Sequence, residues 1–272
     1  MTGRIVSRFP RETNARHNPR TVQIRVLGAY GGSTPRHRQT SFLIDGTVAL
    51  DAGALTSSLD LEEQAKVRAI LVTHSHMDHV NSLPFLVENV FGKVDGPIEV
   101  IAPPEVVASL QTHLFNNDLW PDFTRIPNHL LPVVSFRAVE PGVPFRVNGL
   151  TATAVPVSHV VPTYGYVISN GHASVIFSGD TGPTDEIWRV AARVEGLAAI
   201  FVECSFPDAL QEIADVSKHL TPSTLLKELS KFPRNVPVNV YHMKPPNAAA
   251  IAAELAATPS LRLLHDGDEL NY

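Results

Sequence analysis

Short apolar runs rich in β-branched residues alternate along the chain with stretches of helical period. Residues 21–27 alternate as a half-buried strand does and run into Gly28, Gly31 and Gly32. Residues 41–50 read as two short strands about an Asp45-Gly46 turn. The run 69–73 (AILVT) fits a buried strand, and residues 81–91 place Leu83, Leu86, Val87 and Val90 on one helical face. Further strands are expected at 98–102, 133–139, 144–147, 150–157, 164–169, 173–177, 199–202 and 238–241. Helices are expected at 103–114, 185–194, 221–231 and 247–257, while residues 116–131 read as irregular. Many strands, with helices spread through both halves, predict two sheets with helices outside them.

Composition narrows the class without changing that picture. The chain has 272 residues, 44% hydrophobic and 18% charged, which suits a globular domain and excludes a disordered one. No apolar run approaches the roughly 18 residues that would cross a bilayer. The net charge is −5, yet Arg4, Arg8, Arg11, Arg16 and Arg20 stand against Glu12 alone at the start. Residues 1–20 are therefore expected to form a flexible basic arm, and residues 21–272 a single domain. An acidic body is a poor surface for polymeric nucleic acid, so neither nucleic acid nor membrane is expected as a partner. A single cysteine, Cys204, excludes an intramolecular disulfide, and the N-terminus has no apolar signal block. Both features fit a cytoplasmic protein.

Histidine changes the picture, because 12 are present and several cluster. Thr73-His74-Ser75-His76-Met77-Asp78-His79 follows an apolar strand and opens a helix. Neutral imidazole and carboxylate are ligands for Zn and similar ions, and chance would yield this density in roughly one such sequence in a thousand. If the strand continues through the motif, His74 and His76 share a face and grip one metal, while Asp78 and His79 turn toward a second. Three residues at other strand ends are candidate partners: His159, Asp180 and His242. Glycines on both sides of Asp180 allow a sharp turn that presents its carboxylate.

Together, H-x-H-x-D-H, a later His, an Asp after an apolar strand and a final His resemble the metallo-β-lactamase superfamily. The resemblance covers about residues 22–272. It implies an α/β fold, a four-layer αββα sandwich of two mixed β-sheets with helices on both outer faces and metals at one edge. It also implies His74, His76 and His159 on one metal, Asp78, His79 and His242 on the other, and Asp180 bridging. Asp51 in Leu50-Asp51-Ala52-Gly53 matches an acidic position that orients the ligands. The cofactors implied are two divalent ions, Zn²⁺ by default for this donor set, with Mn²⁺ or Fe²⁺ as alternatives.

Narrower segments resemble the class II 3',5'-cyclic nucleotide phosphodiesterases. They are Ser158-His159 followed by Pro162-Thr163-Tyr164-Gly165-Tyr166, then the run 177–183 (FSGDTGP), Glu203-Cys204-Ser205-Phe206-Pro207, His219-Leu220-Thr221-Pro222, and the run 113–123 (HLFNNDLWPDF). The resemblance implies hydrolysis of cAMP or cGMP to the nucleoside 5'-monophosphate, with a cyclic nucleotide as the small-molecule partner and a homodimer as the assembly. Two divalent ions about 3.5–4 Å apart can activate a bridging water as the in-line nucleophile. Asp78 would bind metal and orient that nucleophile. His219, oriented by Glu203, is the candidate general acid for the leaving oxygen. His113, Asn116, Asn117 and Trp120 are candidates for the nucleotide site, with Trp120 stacking on a base, and Lys244 for a phosphate contact. Cys204 reads as a small buried residue, and His17, His37, His129, His172 and His265 as surface residues.

Two other activities share the motif: an RNA phosphodiesterase resembling tRNase Z, and a lactone or β-lactam hydrolase. The first would need a basic arm or a flexible exosite insertion, and no Gly/Pro/Lys-rich insertion stands between His159 and Asp180. The second would leave the Glu203 and His219 segments without a role. A non-enzymatic metal-binding scaffold would need a broken site, whereas every expected ligand position is filled.

Overall fold

The computed structural model describes residues 20–272 apart from 129, 233 and 234. All but the last residue of the basic arm, with His17 and His129, lies outside the described residues. Six strands come from the first half of the chain: β1 Gln23–Gly28, β2 Ser41–Ile44, β3 Val48–Leu50, β4 Ala69–Leu71, β5 Ile98–Ala102 and β6 Val134–Ala138. Seven more follow: β7 Phe145–Val147, β8 Leu150–Pro156, β9 Tyr164–Ser169, β10 Ser174–Phe177, β11 Leu197–Glu203, β12 Val238–Tyr241 and β13 Leu261–Leu263. A last strand, β14 Glu269–Asn271, returns to pair antiparallel with β1. The result is two seven-stranded sheets, ordered β14-β1-β2-β3-β4-β5-β6 and β13-β12-β11-β10-β9-β8-β7. Both are mixed, as expected of an αββα sandwich.

The sheets meet through aromatic side chains. The Phe42 ring of β2 lies 4.9 Å from Phe177 of β10 and 5.3 Å from Tyr241 of β12. Phe177 in turn stacks on Phe201 of β11 at 4.2 Å. All four are fully or almost fully buried and belong to one continuous core. Turn chemistry sets the hairpins: Asp45 and Gly46 take positive φ between β2 and β3, and Asn148 and Gly149 do so between β7 and β8.

Most strands fall where the hydrophobic pattern puts them. The short elements Leu55–Ser58, Leu61–Gln64, Gln211–Ser217, β13 and β14 do not announce themselves. Gln211–Ser217 buries only Ala214, so it has no apolar stripe to read. One expectation needs correction. β4 ends at Leu71, so His74 and His76 stand on a loop and not on an extended strand. The chain leaves the ladder there because the Thr73 backbone N–H donates to Asp51 Oδ1 at 2.8 Å. His76 then precedes a one-turn helix, Met77–Val80, which carries Asp78 and His79.

Strand direction explains how distant residues meet. β3, β4 and β5 run parallel, as do β10, β11 and β12, and β8 shares the direction of β10 through the antiparallel β9. Asp51, His74, His159, Asp180, Glu203 and His242 all lie at or just past the carboxyl ends of such strands. They therefore gather at one edge of the sandwich. The β1–β2 loop lies at the same edge, where Tyr30 bridges to both Gln39 and Met243.

Candidate metal centre

The cluster is dense and mostly buried. His74, His79, His242 and Asp180 are almost inaccessible, His159 is buried, and His76 and Asp78 are half-buried at the mouth. Asp180 Oδ2 lies 3.7 Å from His74 Nε2, 3.3 Å from His79 Nε2 and 3.2 Å from His242 Nε2. His242 Nε2 is also 3.3 Å from Asp78 Oδ2. His159 Nε2 is 3.4 Å from His76 Nδ1. Five groupings among the described residues have donor atoms within 4.8 Å of one another: two are His74 with His76 and His159, and Asp78 with His79 and His242, and the other three bring in Asp180, His219 and Glu203. Asp180 lies between the first two.

The far nitrogens of four rings are tied down, which fixes which nitrogen faces inward. His74 Nδ1 is 3.0 Å from Thr73 Oγ1, and His79 Nδ1 is 2.7 Å from Asp51 Oδ2. His159 Nδ1 lies 3.0 Å from the Lys218 carbonyl, and His242 Nδ1 2.9 Å from Ser205 Oγ. Asp51, His242 and Lys218 hold left-handed backbones at φ 57°, 65° and 53°. A side chain costs about 1–3 kcal/mol there, so the surroundings over-determine each one. The His242 N–H donates to the Ala29 carbonyl at 2.6 Å, and a Cβ at Gly31 would stand 2.6 Å from the His242 ring.

The electrostatics follow from burial among like groups. Burial, helped by neighbouring rings, pushes His74 well below the usual imidazole range, and pushes His159 down to about 4. Burial also opposes charge on Asp180, but the His242 and His79 rings outweigh it and hold the carboxyl well below its usual range. For Asp78 burial is outweighed by the His242 hydrogen bond and the His79 charge. His79 moves the other way, raised against burial by Asp180 and Asp51.

Two polar atoms decide whether divalent ions fit. His74 Nε2 and Asp180 Oδ1 are buried with no hydrogen-bond partner. Orphaned donor atoms in so polar a centre are costly unless a cation satisfies them. The set of imidazoles and carboxylates is one that Zn²⁺, Mn²⁺ or Fe²⁺ accepts. The residues present therefore fit two divalent ions.

A second buried chain of contacts abuts the cluster. Glu203 Oε1 lies 2.8 Å from His219 Nδ1, and Ser205 Oγ donates to Glu203 Oε2 at 2.8 Å. Thr181 and Leu220 donate their backbone N–H groups to Glu203 Oε1 at 3.1 and 3.3 Å. The His219 ring is 4.9 Å from His159 and lies stacked 5.5 Å from His242. Burial lowers the pKa of His219, yet Glu203 outweighs it and raises it overall. Ser205 thus joins Glu203, His219 and His242, a role that sequence reasoning missed although Ser205 stands two residues after Glu203. Lys218 was also missed, and nothing in its neighbours signals that its carbonyl holds His159.

The proposed nucleotide-binding residues lie differently. Lys244 Nζ is 3.4 Å from Asp78 Oδ2, at the cluster. His113 is exposed at the end of the helix Pro104–His113. Asn116 Oδ1 accepts from the N–H groups of Asp118 and Leu119, and Asn117 Oδ1 from that of Asp122, so both side chains shape their own loop. Trp120 packs edge-on against Phe85 at 5.1 Å. Cys204 is buried, and burial pushes its thiol well up, as expected of an inert side chain. His172 and His265 are exposed and His37 is half-buried; the His265 ring meets the Tyr30 hydroxyl at 3.0 Å, and His37 that of Thr34 at 2.7 Å. No helix among the described residues is long and apolar enough to cross a membrane.

Known proteins resemble this chain in sequence and in fold. The beta-lactamase superfamily domain matches residues 40–265. A probable 3',5'-cyclic-nucleotide phosphodiesterase of Yersinia pestis is 28% identical over 206 residues, 66% of this chain and 57% of that protein. The match therefore spans less than two thirds of that relative's length. A ribonuclease Z of Mycobacterium sp. (strain KMS) is 29% identical over 221 residues, 75% of this chain and 76% of its own. Among solved structures, unliganded yeast PDE1 superposes with a TM-score of 0.78 over 93% of this chain and 99% of its own, at 17% identity.

Proposed function

The chain belongs to the beta-lactamase superfamily, a family of metal-dependent hydrolases with phosphodiesterase members, and from its site we propose that it hydrolyses 3',5'-cyclic nucleotides to nucleoside 5'-monophosphates. The observation that carries this reading is the buried Glu203–His219 pair at 2.8 Å, set directly against the ligand cluster. Breaking a phosphodiester expels an alkoxide, which needs a proton at the moment it leaves.

Divalent ions held by His74, His76, His159, Asp78, His79, His242 and Asp180 would supply Lewis-acid polarisation of the phosphate and a nucleophile at neutral pH. The rest is the work of this chain's side chains. Asp78, at the mouth, orients the attacking water in line with the 3' oxygen. Glu203 holds His219 through Nδ1, which turns the opposite nitrogen toward the reacting phosphate. As the bond from phosphorus to O3' breaks, that nitrogen passes its proton to O3', leaving a 5'-phosphomonoester and a 3'-hydroxyl. Glu203 stabilises the imidazolium beforehand, and Ser205 links it to His242 so that acid and ligands keep their relative positions.

A small substrate is favoured by what surrounds the centre. The interval from His159 to Asp180 holds β9, β10 and their turn, with no room for an RNA-gripping extension. The ribonuclease Z relatives keep an RNA phosphodiester as the second reading. The direct test is the product formed from 3',5'-cAMP by metal-loaded protein.

A further inference from the structure

The β1–β2 loop covers a cavity of about 390 Å³ whose lining includes Ser33, Thr34, Gln39, Gly53, Asn81 and Phe85. That volume lies within the range of small-molecule sites, roughly 300–1,000 Å³. It is not a remote pocket. The loop stands on the edge that carries the metal residues, and a Cβ at Gly53 would lie 2.2 Å from the Asp78 carbonyl oxygen. Asn81 and Ser82 keep right-handed helical backbones between the helices Met77–Val80 and Leu83–Asn89. Asp78, Asn81 and Phe85 are thus spaced as i, i+3 and i+7 along one helical stripe. The stripe starts at the metal cluster and ends about 10 Å away at 1.5 Å per residue.

Each end of the stripe suits a different part of a nucleotide. Phe85 is 47% exposed, so its ring is open to a ligand, and Trp120 props it edge-on. Between the ends, Asn81 Nδ2 donates to Gln39 Oε1 at 3.1 Å. Each amide has both a carbonyl and an NH₂, so this pairing leaves an acceptor on one side chain and a donor on the other. Reversing both amides leaves the same pair of functions. An adjacent donor and acceptor match a base edge, as Asn and Gln do on adenine, and an exposed ring is a platform for the base face.

We infer that this cavity holds the purine base of the nucleotide, with Phe85 stacking on it and the Asn81–Gln39 amide pair reading its edge. The inference rests on the reading of the metal cluster as the phosphate site of a nucleotide phosphodiesterase. A purine presents the larger stacking face, which favours it over a pyrimidine here.

The test is calorimetric binding of 5'-AMP, 5'-GMP, 5'-CMP and ribose 5-phosphate to the metal-loaded protein, none of which requires turnover. The expected result is that at least one purine nucleotide binds roughly tenfold tighter than ribose 5-phosphate, as one stacked base provides. The stronger of AMP and GMP then names the base. Phe85→Ala, at a half-exposed position, and Asn81→Leu, which keeps bulk and removes the amide, are each expected to erase the purine advantage. Equal binding of all four ligands, no binding of any, or a purine advantage that survives both variants would overturn the assignment. Purine preference without cyclic nucleotide hydrolysis would count against the proposed reaction and leave the base site standing.

Discussion

Nδ1 of His79 lies 2.7 Å from Oδ2 of Asp51, and both groups are buried beneath the ligand cluster. The same carboxylate accepts the backbone N–H and the hydroxyl of Thr73, and Thr73 in turn meets His74. One carboxylate therefore sets the orientation of two rings of the cluster. Asp51→Asn is expected to weaken divalent metal binding about 10- to 100-fold, the usual cost of losing such a partner. Competition against a chromophoric chelator measures it directly. Unchanged affinity would show that Asp51 serves the loop alone.

The Glu203–His219 pair makes a separable prediction. His219→Gln is expected to lower kcat on a cyclic nucleotide about 10²- to 10⁴-fold, the range for losing a general acid. Metal content should stay at the wild-type level, because the seven proposed ligands remain. Steady-state kinetics with metal analysis on the same sample checks both halves. A loss of metal in step with the loss of rate would reassign His219 to the ligand set.

The clustered histidines and aspartates were legible because their signal is local or sits at strand ends. The density of His74, His76, Asp78 and His79 is visible in one window, and apolar runs mark the strands that deliver His159, Asp180 and His242. Ser205 and Lys218 were not, since each acts on a histidine that only the tertiary fold brings near. Asn116 and Asn117 stood out through the resemblance of the run 113–123, yet short amides also serve turns, and here their carbonyls accept from loop backbone. Phe85 lay on the opposite face from the apolar stripe Leu83, Leu86 and Val87, so helical period passed over it. The two-sheet architecture was readable from the order of strands. The pairing of β14 with β1 was not, because a three-residue strand carries too little pattern.

Away from the site, Glu63 is among the carboxyls that contribute to acid stability. A hydrogen bond from Arg25 at 2.7 Å holds the Glu63 carboxyl below its usual range, against partial burial. A depressed folded-state pKa stabilises the fold above the unfolded carboxylate value, about 4.3, and that contribution is lost as pH falls through the folded value. Glu63→Gln is expected to lower stability at neutral pH by no more than about 1 kcal/mol, as suits a partly exposed pair, and to narrow the gap to wild type in acid. Urea unfolding at several pH values checks the sign. A gap that widens in acid would contradict it.

The central claim is the reaction, and product identity tests it most directly. Metal-loaded protein is incubated with 3',5'-cAMP, the products are resolved by chromatography, and His76→Ala is run alongside. The account predicts release of 5'-AMP, with no 3'-AMP, and its loss in the variant. Failure to turn over 3',5'-cyclic nucleotides, with cleavage of a tRNA precursor in their place, would contradict it and move the substrate to RNA.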